Sequence, residues 1–289
     1  MCEHDDFEAF AARQPALSRR QFGAMALSAG MLAALPRGAF AGDTQGTDIL
    51  VRTPDGTADA FFVHPSQGRH AGVLMWPDIF GLRPAFRGMA TRLAESGYAV
   101  LVVNPFYRTQ KAPTAPEHPD FNDPATRKAL LALAGSLTPA TAATDATAFL
   151  GFLDADPAVD ARRKAGTLGY CMSGPIALRT AAALPGRIGA VATFHGGGLV
   201  TTQPDSPHRV IPQMRAHALI AIAASDDAQE PDSKTVLRDA FAQAHLTAEV
   251  EVYAGTKHGW CPTDSAVYDH DQAEKAWGRL VAVFGSALA

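Results

Sequence analysis

Three short stretches of this 289-residue chain carry side chains able to do chemistry together. Leu168-Gly169-Tyr170-Cys171-Met172-Ser173-Gly174 holds a thiol, Ser225-Asp226-Asp227 a pair of carboxylates, and Lys257-His258-Gly259 an imidazole. A thiol becomes an efficient nucleophile when a neighbouring imidazole takes its proton, and a carboxylate fixes the tautomer and orientation of that imidazole. Such a set is suited to acyl transfer, in which the sulfur attacks a carbonyl and a tetrahedral oxyanion must be stabilised.

The elements around these stretches must bring them together. Residues 164–168 read as a short buried strand and residues 175–184 as a helix, so Cys171 falls on the turn between them. A nucleophile on a strand-to-helix turn stands above the sheet, next to the free N–H groups and positive dipole end of the helix. The two aspartates follow an apolar strand at 218–224, and His258 follows a strand at 248–253. In an open α/β sheet, sites form beyond the carboxyl ends of the strands. Further strands are expected at 60–64, 72–76, 98–103 and 188–194, and helices at 86–95, 141–153, 233–244 and 273–284. Continuous apolar strands alternating with helices predict a mostly parallel sheet covered on both faces. Residues 113–124 hold four prolines and read as a loop that covers the site.

The remaining signals narrow the setting. Ser18-Arg19-Arg20-Gln21-Phe22, an apolar run at 23–35 and Ala39-Phe40-Ala41 follow one another as in a twin-arginine signal peptide. Residues 1–41 are thus expected to engage the twin-arginine export machinery and to be cleaved after Ala41. That would leave a periplasmic domain at 42–289 with no membrane attachment. Net charge is −4 with acidic and basic residues interspersed, which points away from nucleic acid and from a membrane surface. Cys2 leaves with the signal; a permanent bridge between the remaining Cys171 and Cys261 would abolish use of the Cys171 thiol. His64, His70, His118 and His208 are scattered without the close spacing of metal ligands, so neither a metal nor a cofactor is expected. His195, ahead of Gly196-Gly197-Gly198, is either a pocket residue or a structural one.

On these motifs the chain resembles the dienelactone hydrolase family, α/β-hydrolases with a cysteine nucleophile, over essentially all of 42–289. Four segments carry the resemblance: Asp78-Ile79-Phe80-Gly81, Asn104-Pro105-Phe106-Tyr107-Arg108, Gly169-Tyr170-Cys171-Met172-Ser173-Gly174 and Lys257-His258-Gly259-Trp260. It implies the α/β-hydrolase fold and a small ester or lactone as substrate, cleaved without a cofactor. It implies Cys171 as nucleophile, His258 as base, and the N–H groups of Met172 and Ile79 as oxyanion hole. Asp227 is the implied acid because it precedes Pro231 by four residues, with Asp226 in reserve. Arg108 is the implied clamp for an anionic substrate, with a surface salt bridge as its other reading, and Asp78 is an implied gate on thiol ionisation; Trp260 reads as a pocket wall in preference to plain packing. Three departures stand out. Ser173 replaces the second glycine of the turn, Asp78 replaces a Glu, and Pro262 stands where a second arginine clamp would be. The last weakens the case for a dienelactone substrate in particular. The rival readings are a non-catalytic binding protein on the same fold, and an amide hydrolase or acyltransferase with the same triad.

Overall fold

The computed structural model describes residues 43–117 and 119–289; the expected export segment and His118 lie outside the described residues. In chain order the elements are β1 (Thr44–Thr53), β2 (Gly56–Pro65), β3 (Ala71–Trp76), α1 (Pro84–Glu95), β4 (Tyr98–Val103), α2 (Pro124–Ala134) and α3 (Pro139–Ala155). They continue with β5 (Ala165–Tyr170), α4 (Gly174–Ala183), β6 (Ile188–Phe194), β7 (His217–Ala223), α5 (Ala224–Gln229), α6 (Ser233–Gln243), β8 (Ala248–Tyr253) and α7 (His270–Ala287). The sheet order is β1-β2-β4-β3-β5-β6-β7-β8. β1 and β2 form an antiparallel hairpin and β2 pairs antiparallel with β4, whereas every pair from β4 to β8 is parallel. This is the expected α/β-hydrolase architecture.

Strand alternation distributes the apolar side chains to two cores. Leu74 and Trp76 face one side, where Phe149 and Leu153 of α3, Ile176 of α4 and Phe241 of α6 close over them. Val73 and Met75 face the other, against Phe86 and Leu93 of α1 and Leu280 and Phe284 of α7. Every residue of β3, β4, β5 and β6 is buried, the mark of central strands covered on both faces. Truncating a fully buried Phe such as Phe149 in such a core costs about 3–5 kcal/mol.

Helix starts are fixed locally. Pro84, Pro124 and Pro139 open α1, α2 and α3, where a missing N–H costs nothing. Asp123 caps α2 through the Thr126 N–H, and Thr138 and Thr141 cap α3 reciprocally. Three elements were not expected. β1 is a largely exposed edge strand whose apolar run is only Ile49-Leu50-Val51, α2 buries only Leu130 and Leu133, and α5 buries no residue. Among the described residues, no helix is long and apolar enough to cross a membrane.

The parallel arrangement makes β3, β5, β6, β7 and β8 end on one side of the sheet. Asp78 and Ile79, Cys171, His195, Asp226 and His258 follow those five ends in turn.

Candidate active site

The turn carrying Cys171 is tight for reasons its neighbours impose. A Cβ at Gly169 would lie 2.1 Å from the Ser173 carbonyl oxygen, so only glycine allows the chain to double back there. Cys171 itself has φ 54°, in the left-handed region that costs a side-chain-bearing residue about 1–3 kcal/mol. Ser173, the departure from glycine, is fully buried and donates its hydroxyl to the Pro77 carbonyl at the end of β3. The added side chain is thus accommodated by a hydrogen bond rather than by widening the turn.

Cys171 Sγ lies 3.1 Å from His258 Nε2, and His258 Nδ1 lies 2.9 Å from Asp226 Oδ2. The carboxylate at the ring is therefore Asp226 and not Asp227, a correction to the sequence expectation. Both aspartates are in the first turn of α5, and successive helix residues point about 100° apart, so only one can face His258. Asp227 turns toward α6, where Lys234 Nζ donates to both its oxygens at 2.7 and 2.8 Å. The spacing to Pro231 carries no information about that rotation.

Two residues the sequence did not single out hold His258 in place. Ser225 Oγ accepts the His258 N–H at 2.9 Å. Thr256, also buried, accepts the Ala224 N–H on its hydroxyl and the Ser225 N–H on its carbonyl, both at 3.1 Å. These bonds latch the loop after β8 onto the start of α5, so base and carboxylate share one support. Burial works against a charge on the His258 ring. The hydrogen bonds to Asp226 and to the Cys171 sulfur outweigh it, and the ring is pushed up to about 10.

His195 has φ 41° and a fully buried ring, which packs edge-on against His258 at 5.1 Å between centroids. Burial first, and the neighbouring His258 second, hold it well below the usual histidine range, so it stays neutral. Neither ring nitrogen has a hydrogen-bond partner among the described residues. Trp260 is not the pocket wall that was expected: it is fully buried behind His195, at 5.3 Å, and stacks on Tyr253.

A cavity of about 350 Å³ opens over Cys171 and His258. Ile79, Phe80, Phe121 and Val267 supply apolar walls, and Phe121 belongs to the Pro-rich loop, which does cover the site. The N–H groups of Ile79 and Met172 donate to no other group among the described residues. Asp78 also lines the cavity, but its oxygens are taken by Arg83 at 2.6 and 2.9 Å and by the Phe80 N–H at 2.9 Å. Burial raises its carboxyl above the ordinary range, in opposition to Arg83. Cys171 and Cys261 are both free thiols, and Cys261 faces a separate small cavity beside Tyr170 and Trp277. Among the described residues no three His, Cys, Asp or Glu side chains gather as a metal site.

Arg108 is displaced from its expected role. It reaches Asp145 at 2.6 and 2.8 Å and Asp55 at 2.6 and 3.0 Å, and it does not line the cavity. Asp145 is almost wholly buried and, among the described residues, is otherwise held only by the Tyr107 hydroxyl. Arg108→Ala would leave that carboxylate without its cation, at a cost of about 3–5 kcal/mol. Chemical denaturation should show this loss while KM for small esters stays unchanged. A raised KM for an anionic ester with unaltered stability would return Arg108 to the site.

Residues 58–288 match the dienelactone hydrolase family. A carboxymethylenebutenolidase of Rhodococcus opacus is 27% identical over 244 residues, which cover 81% of this chain and 88% of that protein. Among solved structures, a dienelactone hydrolase-like promiscuous phosphotriesterase from metagenomic libraries aligns with a TM-score of 0.71 at 20% identity, covering 86% of this chain and all of its own. A dienelactone hydrolase of Anabaena variabilis aligns with a TM-score of 0.61 at 16% identity, covering 85% of this chain and 99% of its own. At such identities these structures speak for the fold alone.

Proposed function

The chain belongs to the dienelactone hydrolase family and is a hydrolase of the ester and lactone class, and we propose that it works through a thioester on Cys171, with His258 as base and acid and Asp226 as the carboxylate that orients it. The observation carrying this reading is the continuous relay from Cys171 Sγ through the His258 ring to Asp226, at 3.1 and 2.9 Å, on the floor of the cavity.

With a pKa near 10 the His258 ring holds the proton at neutral pH, and the sulfur is the nucleophile. Sγ attacks the carbonyl carbon, and the electron pair moves to the carbonyl oxygen, where the N–H groups of Ile79 and Met172 receive it. The C–O bond to the leaving group breaks, and Nε2–H gives its proton to the departing alkoxide. An ester then releases an alcohol; a lactone keeps its new hydroxyl on the acyl chain. The neutral ring next takes a proton from water, whose oxygen attacks the thioester. Collapse releases the carboxylic acid and restores Cys171. Residues 1–41 would deliver the enzyme to the periplasm, and a mature N-terminus at Gly42 in a periplasmic fraction is the check on that part.

Rapid acid quench during turnover of a slow ester, followed by mass spectrometry, should find the acyl group on the peptide containing Cys171. Steady turnover with no acyl-peptide at any quench time would remove the thioester. The pH profile gives a second test. Loss of the ring proton removes the acid that serves the leaving group, so kcat/KM should fall as pH rises through about 10. The limb should be steepest for esters of poorly acidic alcohols, which depend most on that proton. A flat profile across this region would mean that His258 is not the acid.

A further inference from the structure

The cavity over Cys171 contains one guanidinium, and it has nothing left to give a substrate. Arg83 Nε donates to Asp264 at 2.7 Å. Its Nη1 donates to Asp78 at 2.6 Å and to the Gly81 carbonyl at 3.4 Å. Its Nη2 donates to Asp78 at 2.9 Å and to Asp264 at 3.0 Å. All five N–H groups of the side chain are therefore committed to protein acceptors. Its central carbon also lies over two aromatic rings, 5.3 Å from the centroid of Phe80 and 4.9 Å from that of Phe86. The other cation is the His258 ring, whose two nitrogens point to Asp226 and Cys171.

The balance of charge around the opening runs the same way. Asp78, Asp120 and Asp264 all line the cavity, against Arg83 and the His258 ring, whose donors are already committed. The rest of the wall is uncharged and mainly apolar: Asn122, Ser265 and the neutral His195 add polar atoms, and Phe80 and Phe121 meet edge to face at 6.4 Å. A carboxylate on the substrate would lose its water, find no free donor cation among the described residues and face three acidic side chains. A neutral ring or branched chain would lie against the two phenyl groups without that cost. The volume, about 350 Å³, is at the low end of small-molecule sites, which suits one ring.

We infer that this cavity takes an uncharged, apolar acyl group, and that the Asp78–Arg83–Asp264 cluster excludes carboxylate-bearing esters and lactones. The inference builds on the catalytic reading of Cys171, but it is a statement about what the cavity binds and can be tested without turnover. In Cys171→Ala protein, phenylacetamide and phenylacetate present the same ring with and without a charge. Calorimetric titration should find the amide bound at least roughly tenfold more tightly, as expected when like charges are brought together in a partly dry site. Adding Asp264→Ala frees two of the Arg83 N–H groups and removes a negative charge, so the gap should narrow severalfold. Equal or tighter binding of phenylacetate, a gap unmoved by Asp264→Ala, or no binding of either compound would each overturn the inference. Turnover by the unsubstituted enzyme is read separately. If the amide binds as expected but neither neutral nor anionic phenylacetyl-type esters are cleaved, the catalytic reading fails and the binding preference stands.

Discussion

Cys171→Ala protein should unfold at the same temperature as the parent and lose turnover of small activated esters by roughly three to six orders of magnitude. The size of the effect follows from the site's design. On the proposed mechanism the N–H groups of Ile79 and Met172 would still polarise a carbonyl in the variant, and His258 would still activate water. The covalent route, however, is gone, because the sulfur is the group that His258 faces at 3.1 Å. Residual activity would come from binding and the oxyanion donors alone. Fold loss is not expected, since the alanine keeps the Cβ and the φ of 54° is already borne at this position by a residue with a side chain. The experiment is kcat/KM on 4-nitrophenyl acetate together with a thermal melt. Activity within about tenfold of the parent, with an intact melt, would place the nucleophile elsewhere.

The second large effect separates two adjacent carboxylates. Asp226→Asn should lower kcat by roughly a hundredfold to ten-thousandfold, because an amide at that position can stabilise the wrong tautomer of the ring. It should also move the alkaline limb of the pH profile to lower pH, since Asp226 is one of the groups that raise His258. Asp227→Asn should leave kcat within a few-fold and cost about 0–1 kcal/mol of stability, as expected for a partly exposed ion pair with Lys234. Steady-state kinetics on the two variants under identical conditions decides the matter. The reverse ordering would assign the carboxylate role to Asp227.

That pair also shows where sequence reading stops. The central strands were legible because β3 to β6 are runs of buried residues, and the turn at Cys171 was legible because a strand, a thiol and a helix follow one another. His258 was legible from its place after a strand. Which of two neighbouring aspartates faces it depends on how α5 is rotated, and a six-residue helix with no buried position carries no periodicity from which to read that. Arg83 was missed for a related reason. Its partners, Asp78 and Asp264, are five and 181 residues away in the chain, and no local pattern joins them. Arg108 was legible as a functional cation only by resemblance, and the buried Asp145 that claims it is on a different element. β1 was missed because its apolar stretch is only Ile49-Leu50-Val51 in an edge strand that is otherwise polar and mostly exposed.

The hydroxyl of Ser173 has one more implication. The two N–H groups assigned to the oxyanion come from separate loops, one leaving β3 and the other leaving β5, and the Ser173–Pro77 hydrogen bond is a rivet between those loops. A glycine at this position would have no hydroxyl with which to make that tie. In this chain the tie is part of the folded structure, a constraint on the spacing of the two proposed donors that exists before any carbonyl arrives.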